Sequence, residues 1–518
     1  MELSFLDICL FLAFFAITIG TSLFKSRKEE TGEDFFLASR GLMWPLIGLS
    51  LIAANISSEH FVGMAGQGAG IAGMAVASYE WIGAITLVIV AFFFLPKFLQ
   101  CGIYTIPEYL EYRYNSAARA IMAIYMVSIY VFVTIAAVIY SGALTLYTLF
   151  DMNLTIAVWV IGGVATLYTA WGGLKAVAWA DLFQGSALLI GGFITMVLGF
   201  KAVGGVGSFF DYNADKLHMI LPSDHSVIPW TALIAGLWIP NFYYWGLNQF
   251  IMQRALAAKT LRHGQYGIIF AALLKLIIPF IIIFPGIMAA QLYGDQLADT
   301  SDAAYPLLIK NLIPGGLRGF IFAAISGAVI SSLASMLNSA SAIFTMDIYK
   351  RHFKKDASQH SLVSVGRITT IVFVLIGCII APQLGAERFK GIFNYIQEFQ
   401  GFISPGILAA FVFPLIFKKT PPLAGVTALV ITVPIYGILL ISFGEMAFLN
   451  RMGITFGVIV LIMGIITMNR NFLSILLPVG EPKELPVRED FNMEESPRVK
   501  WLGLALIAVI AVLYVIFW

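Results

Sequence analysis

Apolar positions along this chain run on without alternating. Stretches of Leu, Ile, Val, Phe and Ala recur near 4–23, 43–66, 75–99, 117–149, 155–171, 180–200, 228–250, 266–291, 316–348, 362–383, 392–416, 422–442, 446–468 and 501–518. Each is about the length a helix needs to cross roughly 30 Å of hydrocarbon. The pattern predicts an all-α integral membrane protein of about fourteen transmembrane helices. The strands of a membrane barrel would instead alternate apolar and polar residues over about ten positions. The whole of 1–518 reads as one membrane domain, and the longest polar stretch, 469–500, reads as a charged cytoplasmic loop before the last span.

Composition agrees. Hydrophobic residues make up 59% of the 518 and charged residues 12%, half the roughly 25% usual in soluble domains, which excludes a soluble enzyme. A net charge of +2 offers no basic field for nucleic acid. Cys9, Cys101 and Cys378 have no metal-binding or disulfide spacing. No Lys or Arg precedes the first apolar run, so 4–23 reads as a retained span and not a secretory signal. Lys and Arg gather in the odd-numbered loops, beginning with Lys25, Arg27, Lys28 and Arg40. That bias predicts odd loops in the cytoplasm and, with an even span count, both termini outside.

Two spans carry polar or helix-breaking residues near their middles. The second reads LIAANISSEHFVGM, with Asn55, Ser57, Ser58, Glu59 and His60; the seventh reads GLWIPNFYYWGLNQF, with Pro240. Non-helical backbone at membrane depth survives only where protein buries it or a wet cavity lies beside it, so both segments are expected to line a site. They stand five spans apart, and an odd number of spans per unit gives an inverted repeat, here spans 2–6 (43–200) and 7–11 (228–416), the layout of alternating-access carriers. Lys275 lies about nine residues into its span, roughly 14 Å deep at 1.5 Å per residue, and needs a partner; Glu80 is the expected one, and Gln397 adds similar chemistry. Carboxylate, ammonium and amides beside aromatic rings suit a polyhydroxylated ligand. In GAVISSLASMLNSASAIF, Ser331, Ser332 and Ser335 share a helical face, and hydroxyls together with unwound carbonyls suit Na+; a packing face is the other reading of such small residues.

These segments, together with ASYEW, YTIPEYLEYRYN, YTAWGGLKAV, NFYYWGLNQ, FAALLKLIIPF, VISSLASMLNSASAIFTMDIYK and YIQEFQGFISPG, resemble the sodium/solute symporter family, on its bacterial sodium/galactose and sodium/glucose side. The resemblance implies a LeuT-type core of five plus five inverted helices, with one extra helix before and three after (422–518). It implies Na+ as the co-transported ion, held by carbonyls of Ala53, Ile56 and Ala328 and hydroxyls of Ser331 and Ser332, with Asp181 as a relay. It points to His60, Glu80, Asn241, Lys275 and Gln397 as sugar-binding residues, to Tyr244 as the inner gate, and to Met64, Tyr79 and Phe393 as the outer gate. Three positions depart from the bacterial sugar carriers it resembles: His60 replaces Gln, as in animal glucose carriers; Gly83 replaces Ser; and Thr134 replaces an Asn expected to brace Tyr244.

Other functions lack their chemistry. A formal GxGxxG at Gly68–Gly73 follows a membrane span and no predicted strand, and neither a GxSxG elbow nor a phosphate-binding P-loop occurs. No enzyme and no catalytic residue is expected. The expected activity is sodium-coupled uptake of a hexose, galactose or glucose. The alternatives are inositol or another solute, and a proton-coupled sugar carrier using Glu59, His60 or Asp181.

Overall fold

A computed structural model describes residues 4–518 except 27–30, 58–59, 298–300, 385–391 and 477. Glu59 and Ser58 fall outside the described residues. The chain is 81% helix and has no strands among the described residues; one isolated bridge pairs Leu42 with Ala258.

Among the described residues, ten helices are long and apolar enough to cross a membrane, or up to twelve if each of two bent pairs is one span. In chain order they are α1 (Phe5–Lys25), the bent pair α2 (Trp44–Asn55) and α3 (His60–Ala69), α4 (Gly73–Cys101) and α5 (Ser116–Tyr147). The short apolar α6 (Leu154–Thr166) and α7 (Gly173–Ala202) meet at Gly173, whose φ of +51 breaks an otherwise continuous helix. Next come α8 (Trp230–Ala235), α9 (Trp238–Phe242) and α10 (Gln249–Leu256), then α11 (Leu261–Leu297) and α12 (Arg318–Phe353). The chain closes with α13 (Gln359–Gln383), the bent pair α14 (Ile392–Gly401) and α15 (Ser404–Ile416), α16 (Pro422–Ser442), α17 (Phe448–Met468) and α18 (Pro497–Ile516). The two segments of the sequence pattern that fail the length test are α6 and the series α8 to α10.

Four breaks decide where functional side chains stand. The α2–α3 pair bends by 58°, as the polar run predicts. In the seventh span the break does not fall at Pro240, which sits inside the first turn of α9, where its missing N–H has no helical partner to lose. It falls at Gly236, which ends α8, and at Asn248, whose extended backbone precedes α10. Gly236 is obligatory: a Cβ there would stand 1.8 Å from the Leu449 carbonyl on α17. The third break, not predicted, lies within α11, where Leu276 and Ile277 form a turn between helical residues Leu261–Lys275 and Ile278–Tyr293, the second opening with Pro279. The fourth is the 50° bend between α14 and α15, in a span predicted to be continuous.

Packing places the breaks together. α2 lies against the first half of α11 and against α7, α3 lies against the second half of α11, and α12 crosses the α6–α7 unit. The charged 469–500 segment is stitched across one end of the bundle. Its backbone bonds reach from Val479 to Leu423, from Arg488 to Gln100 and from Asn492 to Leu261.

Candidate functional site

Lys275 ends the first helical half of α11, where the C-terminal carbonyls favour a cation. Its Nζ donates to Glu80 Oε2 on α4 at 2.6 Å and to Asn55 Oδ1 at the end of α2 at 3.1 Å. It also lies 4.2 Å from the ring centroid of Trp245, a cation–π contact of desolvated groups. The break beside it is partly satisfied from α4, since Trp81 Nε1 donates to the Leu276 carbonyl at 3.5 Å. His60, the first residue of α3, brings Nε2 to 3.6 Å from Glu80 Oε1. One carboxylate therefore collects a lysine and a histidine from two broken spans, and all three side chains are buried.

Asn241 and Gln397 complete the polar wall. Asn241 spends Nδ2 on the Leu237 carbonyl at 3.0 Å. Gln397, on α14, has a buried Oε1 with no hydrogen-bond partner among the described residues. A buried acceptor left unmade costs about 1–3 kcal/mol, a cost that an incoming hydroxyl would remove. All five expected solute residues and all four expected gate residues border one cavity of about 50 Å³, far below the roughly 300–1,000 Å³ of ligand pockets. The structure is thus contracted around its own polar groups. Tyr79 and Phe393 meet edge to face at 5.0 Å, closing one side with Met64 beside them, and Tyr244 closes another, packed on Trp245 at 5.1 Å and Phe250 at 5.5 Å.

Two of the departures acquire physical content. A side chain at Gly83 would crowd the polar wall: a Cβ there would lie 2.8 Å from Trp245 Nε1, 2.9 Å from Asn241 Oδ1 and 3.0 Å from Lys275 Cε, so these side chains would have to shift. Thr134 does not brace Tyr244. Its hydroxyl turns back to the carbonyls of Tyr130 at 3.3 Å and Ile129 at 3.5 Å, and Asn55 Nδ2 bonds the Tyr244 hydroxyl instead, at 3.1 Å.

Of the residues expected to hold Na+, Ala53 and Ile56 stand at the end of α2, and Ser332 reaches it from α12. A helix C-terminus leaves its last carbonyls without amide partners, and Ser332 Oγ on α12 donates to one of them, Ala54 O, at 3.2 Å. Ala53, Ile56, Ala328, Ser331 and Ser332 are all fully buried. Asp181 on α7 lies at the same junction, accepting from Ser331 Oγ and, at 2.5 Å, from Ser50 Oγ. Its main partner was missed in the sequence: Arg254 on α10 donates to Asp181 Oδ2 at 3.1 Å, to Ser50 Oγ at 2.6 Å and also to Ser335 and the Phe250 carbonyl. Arg254 stands among Gln253, Lys259 and Arg262 and so counted as loop charge; it is completely buried. Trp245, also missed as a site residue, was visible only as one aromatic among several in NFYYWGLNQ.

The sodium:solute symporter family model matches residues 35–422. A sodium/glucose cotransporter of Vibrio parahaemolyticus is 41% identical over 547 residues, covering 100% of this chain and 99% of that one. A sodium/myo-inositol cotransporter 2 of Mus musculus is 34% identical over 450 residues, covering 80% of this chain and 67% of that one. The solved structure of a Na+-coupled sialic acid symporter, outward-open and substrate-bound, superposes with a TM-score of 0.79 at 21% identity, covering 93% of this chain and 100% of that one. At that identity the likeness speaks for the fold, which is the expected LeuT-type bundle. The chain belongs to the sodium:solute symporter family: it is a multi-pass membrane protein that couples Na+ to movement of a solute, and not an enzyme.

Proposed function

We propose that the solute is a hexose, galactose or glucose, carried inward with Na+ by alternating access between a repeat at 43–200 and one at 228–416. The observation that carries this reading is the polar wall of His60, Glu80, Asn241, Lys275 and Gln397, in which Gln397 keeps an unpartnered acceptor. A pyranose offers several hydroxyls that both donate and accept, matching a wall of mixed donors and acceptors, and its C–H faces suit Tyr244 and the Tyr79–Phe393 pair. Na+ is read at the carbonyls of Ala53, Ile56 and Ala328 with the Ser331 and Ser332 hydroxyls, with Asp181 alongside as relay.

Coupling follows from sequence adjacency. Ala53 and Ile56 of the Na+ site stand at the end of α2, His60 begins α3, and ordering one side of that break orders the other. A coupling free energy of about 1–3 kcal/mol corresponds to a five- to 150-fold change in affinity, and one charge moving inward adds about 2.3 kcal/mol per 100 mV. The orientation is set by the basic odd loops, with both termini outside.

Myo-inositol is the second reading, supported by the Mus musculus relative. The deciding experiment measures uptake of labelled galactose, glucose and myo-inositol into proteoliposomes under an inward Na+ gradient and under an equal choline gradient. Accumulation of a hexose only with Na+ is expected. Uptake of inositol alone would overturn the hexose assignment, and equal uptake in both gradients would overturn the Na+ site.

A further inference from the structure

On the outside of the bundle, away from the solute cavity, a groove of about 580 Å³ runs between the start of α2, the first half of α11 and α18. Its walls are apolar and half-exposed, with Leu273 at 51%, Leu502 at 49% and Val509 at 47% of their full accessibility, and Trp44 packs edge to face on Phe270 at 5.5 Å. From Arg262 to Leu273 the groove follows α11 for eleven residues, roughly 16 Å at 1.5 Å per residue, about half of a hydrocarbon core some 30 Å thick. Its depth is that of one leaflet.

The mouth of the groove is basic. Arg262 is exposed and has no ion pair or hydrogen bond among the described residues; its guanidinium stands 5.8 Å over the Tyr266 ring. His263 accepts from the Trp44 amide at 3.4 Å through Nδ1, and Lys259 and Arg262 both lie within electrostatic range of its ring. Among the described residues, no acidic side chain lines the groove. Trp44 and Tyr266 are the residue types that settle at the headgroup level, and basic pockets between spans on the cytoplasmic side hold anionic headgroups.

We propose that this groove binds one anionic phospholipid, with its phosphate at Arg262 and His263 and an acyl chain lying along Leu273, Leu506 and Val509. The lipid bridges α2 and the first half of α11, the segments whose inner ends carry Asn55 and Lys275, to α18.

Native mass spectrometry of the full chain, given equal phosphatidylglycerol and phosphatidylcholine, tests this. Selective retention of phosphatidylglycerol is expected, falling by roughly fivefold with the one cationic charge removed in Arg262→Ala/His263→Ala. Leu273→Trp, at an exposed position, narrows the chain-binding part and lowers retention of both lipids. The control Lys350→Ala/Lys354→Ala, on another basic cluster, leaves retention unchanged. Wild-type retention in the Arg262/His263 variant overturns the proposal, as does an equal loss in the control, which would mean surface attraction only.

Discussion

The molecule holds two buried pairs of carboxylate and cation about the same broken helix, and they are built differently. Glu80 and Lys275 face the cavity, share Asn55 and His60, and stand beside an amide with a spare acceptor. Asp181 and Arg254 are sealed: two serines and the guanidinium take up the carboxylate, and Arg254 is further held by the carbonyls of Ser50 and Phe250 and by Ser335. Buried charge alone therefore does not mark the solute-binding site. What separates the pairs is whether neighbouring hydrogen-bonding capacity is spent or left over.

Breaking the sealed pair should have the largest effect. Arg254→Ala strands a buried carboxylate, a loss of about 3–5 kcal/mol, and is expected to collapse the yield of folded protein or lower its melting temperature steeply. Lys275→Ala should spare folding more, because Glu80 keeps His60 at 3.6 Å, yet reduce Na+-driven solute uptake by on the order of 100-fold. If the two variants lose stability equally, the contrast between the pairs is wrong.

A third buried carboxylate sharpens the comparison from outside the spans. Asp302 lies between Gly66 of α3 and the start of α14, accepts the Ile392 amide at 3.3 Å, and leaves Oδ1 without a partner among the described residues. Burial pushes its pKa up to about 6. The native state then holds a proton that the unfolded chain has released, so stability is greatest below about pH 4, falls toward pH 6, and is flat above. Melting curves across pH 4–7 should show this slope, and Asp302→Asn should flatten it.

The smallest effects concern the inner gate. Asn55→Ala removes a hydrogen bond to the Tyr244 hydroxyl and an acceptor from Lys275, and a several-fold rise in the solute concentration for half-maximal uptake is expected. Thr134→Ala removes only a hydroxyl bonded to its own helix and should change uptake less than twofold. Reversed magnitudes would restore Thr134 as the brace.

Much of this was legible in the residues, for a physical reason: a polar group in a long apolar run is costly and so announces itself. Lys275, Glu80 and the Asn55–His60 break are of that kind. Arg254 was hidden because polar neighbours made it look like part of a loop. The seventh-span break was assigned to Pro240 because proline is the loudest helix breaker, although a proline in a first turn breaks nothing. The bend before α15 left a quieter trace in Pro405, which opens that helix. Turns made by tertiary packing, such as Gly236 against Leu449, have no local signature beyond a glycine.

The contracted cavity has a consequence for any titration of this protein. If the roomier form is only a small fraction of the population, the measured dissociation constant equals the intrinsic one divided by that fraction. A form present at about one part in a hundred would weaken apparent binding about a hundredfold with every contact intact. Substitutions far from the solute that loosen the Tyr79–Phe393 closure would then tighten apparent binding, and apparent selectivity among solutes of different bulk would report on the opening equilibrium as much as on recognition.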